Sequence, residues 1–465
     1  MADTNTLPKE NQQNGNSLIN KFTELALNWI PDSMVFVLAL TVAIFAAALV
    51  WGTHAPIQLV DDYEKSFWRM LPFAMQMSLL MITGFVVADS KPAKRIISAI
   101  IDIPKTPKMT MWMFMVVGGF VSWCHWGIGL MLNIVMGREL AARKRGLGIH
   151  YAFLVAVCYG CGSILSNGPT QMAPLLVATP GHFLEKLTGI IPITQTALSP
   201  FQFAYIGILF VTLPLVMLMF MPSPKNSVEI SEELANEFLN KDAEEEEDKS
   251  KLRPAERWDR SPILQVIVAL IILFWFAKAV YFKGANALDL NNLNLAFFGL
   301  GLLLHGNPRS FIKSVRAGVP TTYGVIIQFP LYAGIFGVIS DSGLAKVITH
   351  WFVSISTPGT YAWIIFLYTG VMDFFVPSAG SKFVIEAPYI IPAAQQLGVP
   401  IQQVILAYNA GAQWVNNLQP FWALPVLAAF KLRFQDIMPF TFLIWLWVGI
   451  VSTVMFLLFP MGFGL

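Results

Sequence analysis

A chain of 465 residues that is 55% hydrophobic and only 12% charged is too apolar for a soluble domain, in which about 25% of residues carry charge. The formal net charge of +2, with basic residues scattered, excludes nucleic acid as a partner. The three cysteines, Cys124, Cys158 and Cys161, all lie in apolar segments and exclude a disulfide framework.

The pattern is that of an all-α polytopic membrane protein, because a helix crossing the hydrocarbon needs about 20 predominantly apolar residues. A polar tail over 1–27 precedes spans expected at 34–51 and 71–88. No cleavable signal is expected, since the first apolar run is long enough to span. The segments 109–123 and 127–137 are each too short to cross and meet at His125-Trp126-Gly127, which predicts a re-entrant hairpin over 109–141. The long run 151–179 is interrupted at Ser166-Asn167-Gly168-Pro169-Thr170, and 203–221 spans. Within 151–179, Cys158-Tyr-Gly-Cys161 has redox or metal spacing, but small residues in an apolar segment are read as close helix packing.

An acidic linker over 222–261, with its run from Asp242 to Asp248, is read as a solvated connector. Spans are expected after it at 262–282, 290–304 and 320–339. A second hairpin, 360–397, breaks between Pro377 and Lys382. The run 401–430 is interrupted between Val415 and Pro420, and 439–459 spans. The count is nine crossings and two hairpins.

Lys and Arg concentrate in alternate loops, with Lys91, Lys94, Arg95, Arg143, Lys144, Arg145, Arg309, Lys313, Arg316, Lys431 and Arg433 on one side. The positive-inside rule then sets the N terminus in the cytoplasm and the C terminus in the periplasm. Asp89-Ser-Lys-Pro-Ala-Lys94 aligns with Asp341-Ser-Gly-Leu-Ala-Lys346 at a shift of 252, and hairpin faces hairpin in the same order. Two membrane repeats, 28–221 and 262–465, with inverted topology are therefore expected.

Backbone opened inside hydrocarbon survives only where it is buried in protein or lines a cavity, and broken helices in an inverted repeat mark the substrate and ion site. The first half offers Ser166, Asn167, Gly168, Thr170 and Gln171, and the second Gln413, Asn416, Asn417 and Gln419. Their amide and hydroxyl oxygens suit a small cation such as sodium, and helix-start N–H groups suit a carboxylate. Capping of the broken ends is the alternative role. The second hairpin tip adds Ser378, Gly380, Ser381 and Lys382, with Glu386 one turn later; Lys382 either attracts an anion or pairs with Glu386. Asp373 is a candidate for a coupling cation or proton, and His125 and Trp126 at the first tip are candidates for substrate contact.

The stretches FVPSAGSKFVIEAPYIIP, NAGAQWVNNLQPFWALP and SNGPTQMAPLLVATPGH resemble the bacterial short-chain fatty acid transporter family, over the chain from about Asn28 onward. That resemblance implies an elevator-type carrier, with hairpins and broken helices forming a mobile domain, in a homodimer in the bacterial inner membrane. It implies uptake of short-chain monocarboxylates such as acetoacetate or butyrate, coupled to a proton or sodium gradient, with no other cofactor. The tips depart from a Ser-Asn-Thr type seen in the wider superfamily, having His125-Trp126-Gly127 and Ser378-Ala379-Gly380-Ser381 instead. A site lined by Asn167, Asn416, Ser378 and Ser381, with Lys382 or His125 holding the carboxylate, is the leading expectation. A passive anion channel, or a carrier for another small organic anion, is the alternative. No HExxH, GxSxG triad or Walker motif supports an enzyme.

Overall fold

The computed structural model describes residues 33–240 and 253–463. The polar tail and the acidic run Asp242–Asp248 lie outside the described residues. Helices account for all the regular structure of the described residues. Six are long and apolar enough to cross a bilayer: Met34–Trp51, Leu71–Asp89, Pro200–Met219, Pro254–Ala287, Pro308–Asp341 and Phe434–Leu458. They correspond to six of the nine expected crossings. The other three are shorter pieces: the two interrupted runs, and Leu290–His305, whose 16 residues span only about 24 Å at 1.5 Å per residue.

Many helix starts repeat one local device, a capping side chain followed by proline. Ser90 Oγ accepts from Ala93 N, Thr106 Oγ1 from Met109 N, Ser199 Oγ from Gln202 N and Asn307 Oδ1 from Ser310 N. Each cap satisfies one orphan N–H, and Pro92, Pro107, Pro200 and Pro308 take first-turn positions where no N–H is needed.

Four helices lie in stretches expected to be loops: Pro56–Phe67, Lys91–Ile101, Pro308–Gly318 and Leu344–Ile355. All are amphipathic, with apolar residues at helical spacing among the charges, so they escape a search for unbroken apolar runs. The second hairpin's break also differs from the expectation. Its arms are Tyr361–Asp373 and Ala379–Leu397, so the open segment is 374–378 and Lys382 sits inside the second arm. Pro377 explains the shift. It pushes the preceding residue away from helix, and Ser378, extended at φ −147°, begins the new one.

The order of elements recurs along the chain. Leu71–Asp89 and Tyr323–Asp341 are offset by 252 residues at both ends (71 to 323, 89 to 341). Pro56–Phe67 and Pro308–Gly318 start 252 apart, as do Met172–Ala178 and Leu424–Phe430. Ile263–Lys283 falls between the two series and has no counterpart among the described residues.

Packing groups these helices into two layers. Pro56–Phe67 packs on Tyr323–Asp341, while Pro308–Gly318 and Leu290–His305 pack on Leu71–Asp89, so each half clasps the long span of the other. The second layer holds the hairpins and broken helices, whose tightest pairing is Tyr361–Asp373 against Ile401–Val415. Gly411 permits that approach, since a Cβ there would strike the Phe366 carbonyl. The layers meet where Leu71–Asp89 packs on Trp126–Arg143 and Tyr323–Asp341 packs on Ala379–Leu397. The outer faces of Met34–Trp51 and Ile263–Lys283 leave Val42, Val50, Phe274 and Trp275 exposed, as expected of lipid-facing helices.

Candidate functional site

The first hairpin consists of Pro107–Cys124 and Trp126–Arg143, which meet at the single residue His125. Its fully buried ring caps the second arm, Nδ1 accepting from Gly127 N at 3.1 Å and Ile128 N at 3.2 Å. The ring also lies edge-on to Phe297, with centroids 4.3 Å apart, and beside Gly84, where a Cβ would come within 2.7 Å of it. His125 is thus a packed cap.

The second tip is built differently. Ser378 gives its backbone no side-chain cap, because its hydroxyl accepts from Ser381 Oγ at 2.8 Å. The first N–H groups of Ala379–Leu397 therefore lack the capping that His125 provides in the other hairpin, and such a helix start favours anions.

Each broken helix is tied to the hairpin tip of its own half. Thr170 Oγ1 accepts from Trp126 N at 3.2 Å, and Trp422 Nε1 donates to the Pro377 carbonyl at 2.8 Å. The first broken helix comprises Tyr151–Leu165 and Met172–Ala178, and the second Ile401–Val415 and Leu424–Phe430. They are also stitched to each other. Asn409 Nδ2 donates to Asn167 Oδ1 at 2.6 Å, Gln413 Nε2 to Gln171 Oε1 at 3.4 Å, and Tyr159 OH to the Asn416 carbonyl at 2.7 Å. Gln202 Nε2 reaches the Asn167 carbonyl, and Gln171 Nε2 the Ser166 carbonyl. Gly168 fits beneath the first hairpin, where a Cβ would run into the Trp123 carbonyl.

Between the two layers lies a cavity with about 940 Å³ of atom-free space, part of it open to solvent. The long spans contribute Met77, Met81, Val325 and Phe329. The opposite wall carries Trp126, Asn133, Ser166, Gln171, Ser378, Gly380, Gln413, Asn416 and the edge of Asp373. Of the residues expected from sequence, Trp126, Ser166, Asp373, Ser378, Gly380, Gln413 and Asn416 are brought together here. Asn167, Gly168, Thr170, Ser381 and Gln419 stand behind this wall as bracing, Gln419 Nε2 donating to Asn416 Oδ1 at 2.8 Å, and Asn417 also lies off the wall, its buried amide without a partner. His125 and Lys382 do not line it either.

Lys382 forms its ion pair with Asp373, at 2.8 Å, not with Glu386. Its ammonium also donates to the Thr369 carbonyl at 2.9 Å and lies 5.6 Å from the centroid of the Tyr408 ring. Both charged side chains are almost wholly buried, at 1% and 2% exposure.

Three contributors were not among the expected site residues. Asn133 lines the cavity and donates to Ser122 Oγ at 3.1 Å, leaving its own Oδ1 unpaired. Trp422 anchors the second tip, and Asn409 joins the halves. Asn133 had a readable signal, as an amide within an otherwise apolar hairpin arm. Asn409 had none beyond its type.

The solved structure of the Alcanivorax borkumensis YdaH transporter, described as having an unusual topology, matches this fold at a TM-score of 0.57 and 13% identity, covering 93% of this chain and 100% of that one. With several helices long and apolar enough to cross a bilayer, the class is thus a multi-pass membrane protein that is all-helical over its described residues. The description of the Short chain fatty acid transporter family matches residues 16–459. An Escherichia coli (strain K12) protein whose name assigns it to short-chain fatty acid transport is 34% identical over 442 residues, 95% of this chain and 99% of that one. A Haemophilus influenzae (strain ATCC 51907 / DSM 11121 / KW20 / Rd) protein with the same assignment is 32% identical over 434 residues, covering 91% and 95%. The chain belongs to the short-chain fatty acid transporter family.

Proposed function

We propose that this protein is a secondary active carrier that takes up short-chain monocarboxylates, such as butyrate or acetoacetate, across the bacterial inner membrane, coupled to a proton or sodium gradient. The observation that carries the reading is the uncapped start of Ala379–Leu397 at the cavity wall. Beside it, Trp126 contributes a buried indole Nε1–H without a partner. One carboxylate takes up these donors, and Met77, Met81, Val325 and Phe329 surround a short alkyl chain. This division of polar and apolar walls matches a small amphiphilic anion and needs no free cation, which suits a cavity whose neighbouring lysine is already paired.

The recurrence of elements at an offset of 252 supports two inverted repeats. The hairpin and broken-helix layer then moves as one body against the clasped long spans, exposing the cavity to each side in turn, as in an elevator. A homodimer, with a cytoplasmic N terminus and a periplasmic C terminus, belongs to the same reading. For the coupling ion, oxygens of Ser166, Asn167, Gln413 and Asn416 already accept hydrogen bonds from Gln171, Asn409, Gln202, Tyr159, Gln419 and Asn416 itself. A sodium ion would compete with these donors, and this favours a proton.

Counterflow in proteoliposomes tests the carrier. Saturable exchange of labelled against trapped butyrate is expected, whereas an ohmic current without exchange would establish the channel reading instead. Trp126→Phe keeps the ring and removes one hydrogen bond to a charged group, worth about 1.5–3 kcal/mol. KM for butyrate should rise about tenfold or more, and an unchanged KM would remove Trp126 from the site.

A further inference from the structure

We propose that Glu386 is a proton-carrying site in the second hairpin, separate from the substrate cavity and connected to it through Lys382 and Asp373. The inference rests on the carrier reading above and names its coupling ion.

The first argument is a count of charge. Asp373, Lys382 and Glu386 are each about 1% exposed. One ammonium balances one carboxylate, and the 2.8 Å contact assigns Lys382 to Asp373. A second buried carboxylate without a cation is too costly to stay ionised and takes up a proton instead. Glu386 has the surroundings of such an acid. Its Oε1 accepts from Tyr368 OH at 3.2 Å, which itself meets Tyr389 OH at 2.8 Å, while Oε2 has no partner.

The second argument is a cavity of its own. Glu386, Lys382 and Tyr389 line a separate space of about 520 Å³, which Leu40, Ile44 and Ile339 line from the opposite layer. Asp373 lines the substrate cavity, and its partner Lys382 lines this second one. The ion pair therefore stands between the two spaces. Lys382 and Glu386 are one turn apart on the same helix, the spacing at which side chains meet. An anion in the substrate cavity repels Asp373 and keeps it on Lys382, leaving Glu386 protonated; once the cavity empties, Asp373 can turn toward it, and Lys382 can then turn to Glu386 and displace its proton.

The third argument is asymmetry. At the offset of 252, Asp373, Lys382 and Glu386 correspond to Val121, Leu130 and Ile134 of the first hairpin. The three ionisable groups are thus confined to one tip, as a single coupling site requires.

The other titratable groups on the elements around Glu386 are Tyr332 on Tyr323–Asp341, Tyr361 on Tyr361–Asp373 and Tyr408 on Ile401–Val415, all buried. Lys346 and His350, on Leu344–Ile355, and Tyr323 and Asp341, at the two ends of Tyr323–Asp341, are exposed. On the short helix Glu185–Thr188, which also packs on Ala379–Leu397, neither Glu185 nor Lys186 is buried. Balance is simple: one proton on Glu386 and one monocarboxylate anion enter together, the proton leaves on the inside, and no net charge moves.

The test uses the full chain in proteoliposomes, with protein-free liposomes subtracted for passive flux of the acid. Wild type is expected to exchange butyrate by counterflow and to accumulate it under an inside-alkaline gradient without sodium. Glu386→Gln should keep counterflow within about twofold and lose the gradient-driven accumulation, and Glu386→Asp should recover it. Accumulation by Glu386→Gln equal to wild type, or wild-type accumulation that requires sodium, overturns the proposal while leaving the carrier reading intact. Absence of wild-type counterflow overturns both. Infrared spectra of the purified wild-type protein supply a readout independent of any variant: a protonated-carboxyl band from a buried acid is expected, and its absence overturns the proposal.

Discussion

If Asp373 and Glu386 back each other up as partners of Lys382, removing both must cost more than the sum of removing each. In Asp373→Asn the ammonium loses its 2.8 Å contact but keeps the Thr369 carbonyl, and Glu386 gives up a proton to replace the lost charge. In Glu386→Gln the original pair is untouched. Only in the double variant is a 1%-exposed lysine left without a counter-ion, a loss of about 3–5 kcal/mol for a buried pair broken on one side. The triple variant that adds Lys382→Met has no buried charge and should regain most of that stability, since neutral replacement of a buried pair is often close to neutral. Chemical denaturation of the purified protein in detergent measures all four. The expected signature is two mild singles, a double whose loss far exceeds their sum, and a recovered triple. Additive singles and double, within about 0.5 kcal/mol, would refute the sharing of one lysine by two acids.

Other consequences follow from the bracing around the cavity. Asn167→Ala strands Asn409 Nδ2, and Asn409 Oδ1 is already unpaired. About 1–3 kcal/mol of stability should be lost, and Asn167→Ala with Asn409→Ala should cost less than the two singles added. Asn416→Ala, at the cavity wall, should instead raise KM for butyrate; equal effects of Asn167→Ala and Asn416→Ala on KM would contradict this division. Gly411→Ala drives a methyl into the Phe366 carbonyl and should destabilise by about 1–3 kcal/mol, read in the same denaturation series. Glu229 accepts from Gly146 N and Gly148 N while Lys431 pairs with Glu237, so residues 228–240 clip together the ends of the first hairpin and the second broken helix. Glu229→Ala should speed hydrogen exchange at 146–148 and 228–240 and leave the cavity amides unchanged.

The breaks were legible because composition forces them. Ser-Asn-Gly-Pro-Thr and Asn-Asn-Leu-Gln-Pro inside apolar runs cannot continue a helix, and the structure interrupts both helices there, after Leu165 and Val415. The amphipathic helices were not legible to a span search, since their apolar stripe covers one face and their charges read as loop. What each polar side chain does was least legible of all. Composition shows that Asn167 and Asn416 sit in matching breaks, but not that one turns toward Asn409 and the other toward the cavity. Likewise the spacing of Lys382 and Glu386 suggested their pairing, whereas the partner came from the other arm of the hairpin. Asp373 and Lys382 are nine residues apart, and only folding the hairpin at Pro377 joins them.

The two tips are best understood as a matched scaffold with deliberately different ends. Trp126 and Ser378 occupy equivalent places at the offset of 252, as do Thr170 and Trp422, and each tip has one hydrogen bond to its own broken helix, Trp126 N to Thr170 Oγ1 and Trp422 Nε1 to the Pro377 carbonyl. That shared bond holds both tips in register with the helices behind them, so the layer can move without loosening either one. Beyond it the tips diverge. His125 occupies its own helix start and rests on Phe297 and Gly84, so the backbone N–H groups of that start are taken and the first tip offers an anion the Trp126 indole instead. Pro377, at the place of His125, has no capping side chain and the N-cap Ser378 makes no cap hydrogen bond, so the helix start stays available to a ligand, and the acids and lysine lie in the same hairpin. Charge balance and the open helix start thus belong to the second tip, while the first contributes the Trp126 indole and otherwise serves as its counterpart for packing. A carrier built this way needs matched tips for movement but not identical ones for binding, and exchanging Pro377 for histidine would test that separation. It should install a second cap, close the helix start to anions and weaken butyrate binding, with thermal stability preserved; undiminished binding would mean the donors lie elsewhere.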